Sequence, residues 1–126
     1  MPSITITLLK GRTAAQKKQI GDAVHESLVA AGVPAADRFQ RFIELEPENF
    51  IYDKHYPDLE TARTDQFMQI EILFSVGRSV KVKRKILADL MIKLKSLQIS
   101  TNDVMVYFME TSWENWAFAN GEQIHI

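Results

Sequence analysis

Residues 4–20, ITITLLKGRTAAQKKQI, lie over residues 70–86, IEILFSVGRSVKVKRKI, without a gap. The alignment sets Ile4 over Ile70, Ile6 over Ile72, Gly11 over Gly77, Arg12 over Arg78, Lys17 over Lys83 and Ile20 over Ile86, a constant offset of 66 residues. Further along, VPAADRFQRFIE (33–44) falls over ISTNDVMVYFME (99–110) at the same offset, pairing Asp37 with Asp103, Phe42 with Phe108 and Glu44 with Glu110. The chain therefore reads as two copies of one unit, residues 4–46 and 70–112.

Each copy has the same three parts. An apolar run rich in β-branched residues, ITITLL (4–9) or FMQIEILFSV (67–76), reads as a strand. Gly-Arg-Thr (11–13) or Gly-Arg-Ser (77–79) then supplies a turn and an N-cap hydroxyl. A helix follows, with Ile20, Ala23, Val24, Leu28 and Ala31 on its apolar stripe in the first copy and Leu87, Leu90, Met91, Leu94 and Leu97 in the second. The last part is another strand, RFQRFIEL (38–45) or DVMVYFME (103–110), entered through an Asp.

A strand, a short crossover helix and a second strand imply parallel strands within each copy and helices on one sheet face. The expected architecture is α+β: a single domain over residues 1–126, with duplicated β-α-β halves forming a four-stranded mixed sheet and two helices on one face. No helix remains to cover the opposite face, and an exposed apolar sheet face is costly in water, so oligomerisation is its natural cover. Residues 47–66 lack helical period and read as a connecting loop with at most a short hairpin. Residues 111–126 form a tail whose two tryptophans and one Phe suit packing against a neighbouring subunit or a pocket wall.

Composition narrows the function classes. At 126 residues the chain can bury a core without staples. A net charge of −1 gives no basic field for nucleic acid or an acidic membrane surface, and KVKRK (81–85) reads as a solvated helix face. The absence of cysteine removes thiol catalysis, Cys-ligated zinc and disulfides, and accords with a cytoplasmic location. His25, His55 and His125 have no metal-ligand spacing, and neither a Walker-type nor a dinucleotide fingerprint is present, so no metal or cofactor is expected. The start has no basic region ahead of an apolar stretch, and neither a signal peptide nor a membrane span is readable.

Three residues carry candidate chemistry. Pro2 leads the first strand, a place where proline is tolerated without any chemical role. If Met1 is removed, as aminopeptidase processing favours before a small residue, the Pro2 nitrogen becomes a free secondary amine. An α-amino group has a reference pKa of about 7.7 to 8.0, low enough to act as a base near neutrality; burial lowers that value and a nearby carboxylate raises it. Arg78, at a strand-to-helix turn with Ser79 as N-cap, suits a small carboxylate, although Arg12 occupies the same step and shows that the repeat alone can produce it. Asp37 precedes the second strand and, because parallel neighbours begin on one sheet edge, comes near the head of the first, where it can orient a water or the Pro2 nitrogen. Its ordinary reading is a turn residue, like Asp103.

With Met1-Pro2, GRT, VPAADRF (33–39), GRS and NWAFANG (115–121) in view, the chain resembles the tautomerase superfamily, and within it the branch that includes malonate semialdehyde decarboxylase. The resemblance implies a homotrimer of duplicated subunits with the amino-terminal proline at the bottom of a small pocket. By position it makes Pro2 the catalytic proline, Asp37 its acidic partner and Arg78 the carboxylate-binding arginine, with Trp116 and Phe118 in the pocket wall. Val76 stands where the decarboxylase pattern has a second arginine, and Phe39 where it has a tyrosine. The expected reaction is keto-enol tautomerisation of a small 2-oxo acid, the alternatives being decarboxylation of a small 3-oxo acid or a non-catalytic trimeric scaffold.

Overall fold

The computed structural model of the protein describes residues 2–125; Met1, whose removal the Pro2 reading requires, and Ile126 at the end of the tail lie outside them. Strand β1 (Ser3–Leu9), helix α1 (Ala14–Ala30) and strand β2 (Gln40–Leu45) are followed by β3 (Met68–Ser75), α2 (Val80–Ser96) and β4 (Val104–Thr111), the same order twice. The sheet runs β2-β1-β3-β4. Strands are parallel within each copy and the copies meet through antiparallel β1 and β3, with Ile4 opposite Ile72 and Ile6 opposite Ile70.

The repeat is visible in the local chemistry. Gly11 and Gly77 both take positive φ, 136° and 118°, a region L side chains avoid, and so turn each inner strand towards its helix. Thr13 Oγ1 accepts from the Gln16 amide at 3.1 Å while the Thr13 amide donates to Gln16 Oε1 at 2.9 Å, a complete capping box. Ser79 Oγ accepts from the Val82 amide at 3.2 Å. Valine has no oxygen to return the bond, so the second helix keeps half of this device.

Alternation along the strands sends Ile4, Ile6 and Leu8 of β1 and Ile70, Ile72 and Phe74 of β3 towards the helices, where all are buried. They meet Ile20, Val24 and Leu28 of α1 and Ile86, Leu90 and Leu94 of α2, residue triples again related by the offset of 66. Each such side chain contributes about 1.5–3 kcal/mol on burial. On α2 the buried stripe is turned slightly from the expectation: Ile86 is fully buried together with Leu90 and Leu94, while Leu87 and Met91 are partly exposed at its margin. A lysine ties each helix to its outer strand, Lys17 to Glu44 and Lys83 to Glu110, both at 2.9 Å.

Both helices lie on one face. The other presents Ile43, Met105, Tyr107 and Met109, which are 38–48% exposed. Its polar groups pair within the sheet, Arg41 Nε donating to Thr5 Oγ1 at 2.9 Å and the Tyr107 hydroxyl to Glu71 Oε1 at 3.2 Å. Between the copies, residues 47–66 form no strand and hold a single 3-10 turn at Pro47–Asn49. This connection is anchored by its aromatics: Tyr52 stacks on Phe67 with ring centres 4.4 Å apart, and its hydroxyl donates to the Thr64 carbonyl at 2.8 Å.

Candidate active site

Antiparallel pairing of β1 and β3 puts the head of one beside the exit of the other. Ser3 is opposite Leu73, so one further step of the register brings buried Pro2 alongside Phe74. Two residues past β3 the Gly77 turn begins, and it sends the Arg78 side chain back over the strand end. The guanidinium carbon lies 4.4 Å from the Phe74 ring centre, and Nη1 donates to the Ser75 carbonyl at 3.0 Å. The ring face and the carbonyl fix the guanidinium plane, which leaves other N–H groups of its donor fork for a ligand.

Asp37 reaches the same edge from the opposite side. Its amide donates to the Pro34 carbonyl at 3.0 Å in the turn after α1, and the Ile4 amide donates to the Phe39 carbonyl at 2.9 Å, locking the entry to β2 against the head of β1. Burial pushes the Arg78 guanidinium below the usual arginine range, and the charges of Glu110 and Asp37 push it back up. The carboxylates of Glu110 and, to a lesser extent, Asp37 thus both act on Arg78 through space. An arginine remains a cation at any physiological pH, so the edge presents a fixed positive charge beside a carboxylate.

Aromatic side chains wall this edge. Phe39 lies 5.8 Å from Phe118, and Phe118 stacks on Trp116 at 5.7 Å with an interplanar angle of 6°. His125 closes the row against Phe118 and Trp113, at 5.9 and 5.5 Å. The Trp116 indole nitrogen and the Ser75 hydroxyl are buried without a hydrogen-bond partner among the described residues. A recess of about 310 Å³ runs along Ser3, Ile4 and Phe39–Arg41.

The structure therefore gathers Pro2, Asp37, Arg78, Phe39, Trp116 and Phe118 at one end of the sheet. Sequence reasoning did not single out Ser75 or assign His125 to this wall; Ser75 carries no motif, and its place follows only from the strand register. The other polar candidates have structural roles. His25 Nε2 lies 2.9 Å from the Ala35 carbonyl, and Lys85 pairs with Asp89 one helical turn on, at 2.6 Å. Val76, where a second arginine would stand in the decarboxylase pattern, is 42% exposed and brings no charge. Among the described residues no group of three or more His, Asp or Glu side chains is arranged to hold a metal ion, and no helix is long and apolar enough to cross a membrane.

Fold and site together define an α+β protein of duplicated β-α-β units, with a cation, a carboxylate and a proline at the edge where the units meet. Family models described as tautomerase enzymes match residues 2–58 and 37–119, and the chain belongs to this tautomerase family of enzymes. The probable tautomerase YrdN of Bacillus subtilis (strain 168) is 29% identical over 124 residues, 97% of this chain and 94% of that protein. A malonate semialdehyde decarboxylase, solved in wild-type, mutant and inactivated forms, is 30% identical with a TM-score of 0.89 over 96% of this chain and 93% of its own. A fused 4-OT solved as a symmetric trimer, 20% identical, shares the fold at a TM-score of 0.76 over 97% of this chain and 96% of its own.

Proposed function

We propose that the protein tautomerises a small 2-oxo acid, with the amine of Pro2, freed by loss of Met1, as the proton carrier. The observation that carries this reading is the meeting of two strand ends: Pro2 is buried one step beyond the Ser3–Leu73 pair, at the level of Phe74, and the Phe74 ring supports Arg78. Arg78 grips the substrate carboxylate through charge-assisted hydrogen bonds. With the acid held, the neutral Pro2 nitrogen takes the enol hydroxyl proton and delivers it to the adjacent carbon, so that the C=C bond becomes C–H and the oxygen becomes a carbonyl; the reverse path runs through the same atoms. Burial of Pro2 favours the neutral amine and Asp37 favours the ammonium, so the balance between them sets the working pH. Trp116 Nε1 and Ser75 Oγ are the donors at hand for the substrate's other oxygen, and Phe39, Trp116 and Phe118 favour a flat or aromatic substituent.

The working unit in this reading is a homotrimer in which the half-exposed face around Ile43, Met105 and Tyr107 is covered by the neighbouring copies. The deciding measurement is the loss of phenylpyruvate enol absorbance with wild-type and Pro2→Ala protein, accompanied by intact mass to establish that Met1 is gone. Pro2→Ala is expected to lower the rate at least a hundredfold; equal rates for two correctly processed proteins remove Pro2 from the mechanism.

A second reading, decarboxylation of a small 3-oxo acid, draws support from the 30% identity to a malonate semialdehyde decarboxylase. It requires a protonated Pro2 that polarises the carbonyl while carbon dioxide leaves, and its rate falls as pH rises through the Pro2 pKa. The tautomerase reading has the opposite dependence. Val76 in place of a second cation favours the tautomerase.

A further inference from the structure

The offset that carries Asp37 onto Asp103 also carries Arg12 onto Arg78, so the repeat places a second arginine and aspartate at the opposite edge of the sheet, where β3 begins and β1 ends. A cavity of about 460 Å³ opens there, larger than the recess beside Phe39. Arg12 and Asp103 stand in its wall, Gln98 and Ser100 add polar groups, and Ile20 and Ile99 supply apolar surface.

The charges are unequally committed. Asp103 is 2% exposed, and each of its carboxylate oxygens accepts a bond from Thr64, one from the amide and one from the hydroxyl, both at 2.7 Å. Arg12 uses one donor on the Gln66 carbonyl at 2.8 Å; burial lowers its pKa and the charge of Asp103, in the same wall, raises it, so the Asp103 carboxylate acts on it through space rather than through a direct bond. The bond to Gln66 leaves four N–H groups on this half-buried guanidinium, a planar donor set of the kind that matches a carboxylate.

The backbone supplies an independent sign. Gln98 has φ of 65°, while its counterpart in the first copy, Gly32, has φ of 108°. Glycine meets this requirement without strain, whereas an L residue in the left-handed region costs about 1–2 kcal/mol. The second copy bears that cost at a position in the cavity wall, and what it gains over glycine is an amide.

We propose that this cavity is a second small-carboxylate site, in which Arg12 holds the carboxylate, Gln98 and Ser100 bind the ligand's remaining oxygen, and no reaction follows. Chemistry is absent because the counterpart of Pro2 is Met68, the first residue of β3, which lies in mid-chain paired with Leu8 and Val104, so its nitrogen is a peptide amide with no basicity. The proposal is independent of the role given to Pro2 and Arg78.

Calorimetric titration with pyruvate tests it on the wild type, Arg12→Gln, Arg78→Gln and Gln98→Gly. Arg78→Gln should retain one binding event per chain, and Arg12→Gln should lose that event while keeping its phenylpyruvate turnover. Gln98→Gly, which relieves strain and so retains the fold, should weaken the same event about five- to tenfold. Absence of pyruvate binding to Arg78→Gln, unaltered affinity in Gln98→Gly, or turnover that falls together with binding in Arg12→Gln overturns the proposal. A wild type with one event that only Arg12→Gln removes supports it and counts against the Arg78 site instead.

Discussion

The Arg78 guanidinium carbon sits 4.4 Å from the centre of the Phe74 ring, one strand position beyond the Leu73 that pairs with Ser3 and so at the level of Pro2. One aromatic ring thereby orients a cation from the second copy of the repeat against the leading residue of the first. Neither group could be aimed by its own half of the chain, because Pro2 opens β1 whereas Phe74 and Arg78 lie at the exit of β3.

Arg78→Lys should lower kcat/KM for phenylpyruvate about 10- to 100-fold, mainly through KM. A lysine keeps the charge but loses the planar fork and the stacking on Phe74. Steady-state kinetics separates this outcome from a loss confined to kcat, which would place the residue in proton transfer.

The core predicts a contrast between adjacent leucine-rich positions of α2. Leu90→Ala, at a site with no exposure, should cost about 2–5 kcal/mol, and Leu87→Ala, at the margin of the stripe, less than half as much. Urea denaturation of both variants measures the difference, and equal losses would mean that the buried stripe runs through Leu87.

Acid stability should depend on Asp22. Hydrogen bonds from Lys18 and Arg38, at 2.9 and 2.8 Å, hold its carboxyl below the ordinary aspartate value of 3.8. A depressed folded-state pKa stabilises the protein at pH above the unfolded value, and this contribution disappears as pH falls through the folded one. Thermal melts of Asp22→Asn should therefore show a shallower loss of Tm below about pH 4 than the wild type, with the two proteins differing most near neutrality.

The uncovered sheet face is expected to hold three chains together. Ile43→Glu introduces a charge at a residue 40% exposed in the single chain, and in a buried interface that charge would have no partner. Sedimentation equilibrium should give the mass of three chains for the wild type and of one for the variant; a wild-type monomer would remove the trimer.

The element order was legible in the sequence because two independent signals coincide. The gapless repeat fixes strand, helix and strand twice, and Gly-Arg-Thr and Gly-Arg-Ser mark the turns whose left-handed glycines and hydroxyl caps appear in the structure. The apolar stripe of α2 was less sharply readable, since Ile86, Leu87, Leu90, Met91 and Leu94 occupy more of the helix circumference than one face and only packing against β3 and β4 selects among them. At the site, Asp37 could be placed near the head of β1 from parallel pairing alone, whereas Arg78 reaches the same end only through the antiparallel pairing of β1 with β3. Trp116 and Phe118 enter the pocket wall only through the family resemblance, and His125 does not, because the tail lies outside the repeat and no periodicity fixes its path against Phe39. The paired roles of Gln98 and Gly32 emerge only from the backbone angles.

Because β1 and β3 are antiparallel neighbours at the centre of the sheet, each edge draws its acid from one repeat and its arginine from the other. A gene fragment encoding a single repeat would own an incomplete set at both ends. Likewise, a chimaera that exchanges one repeat with a relative would redesign both pockets in a single step, so the two halves are bound to evolve as partners.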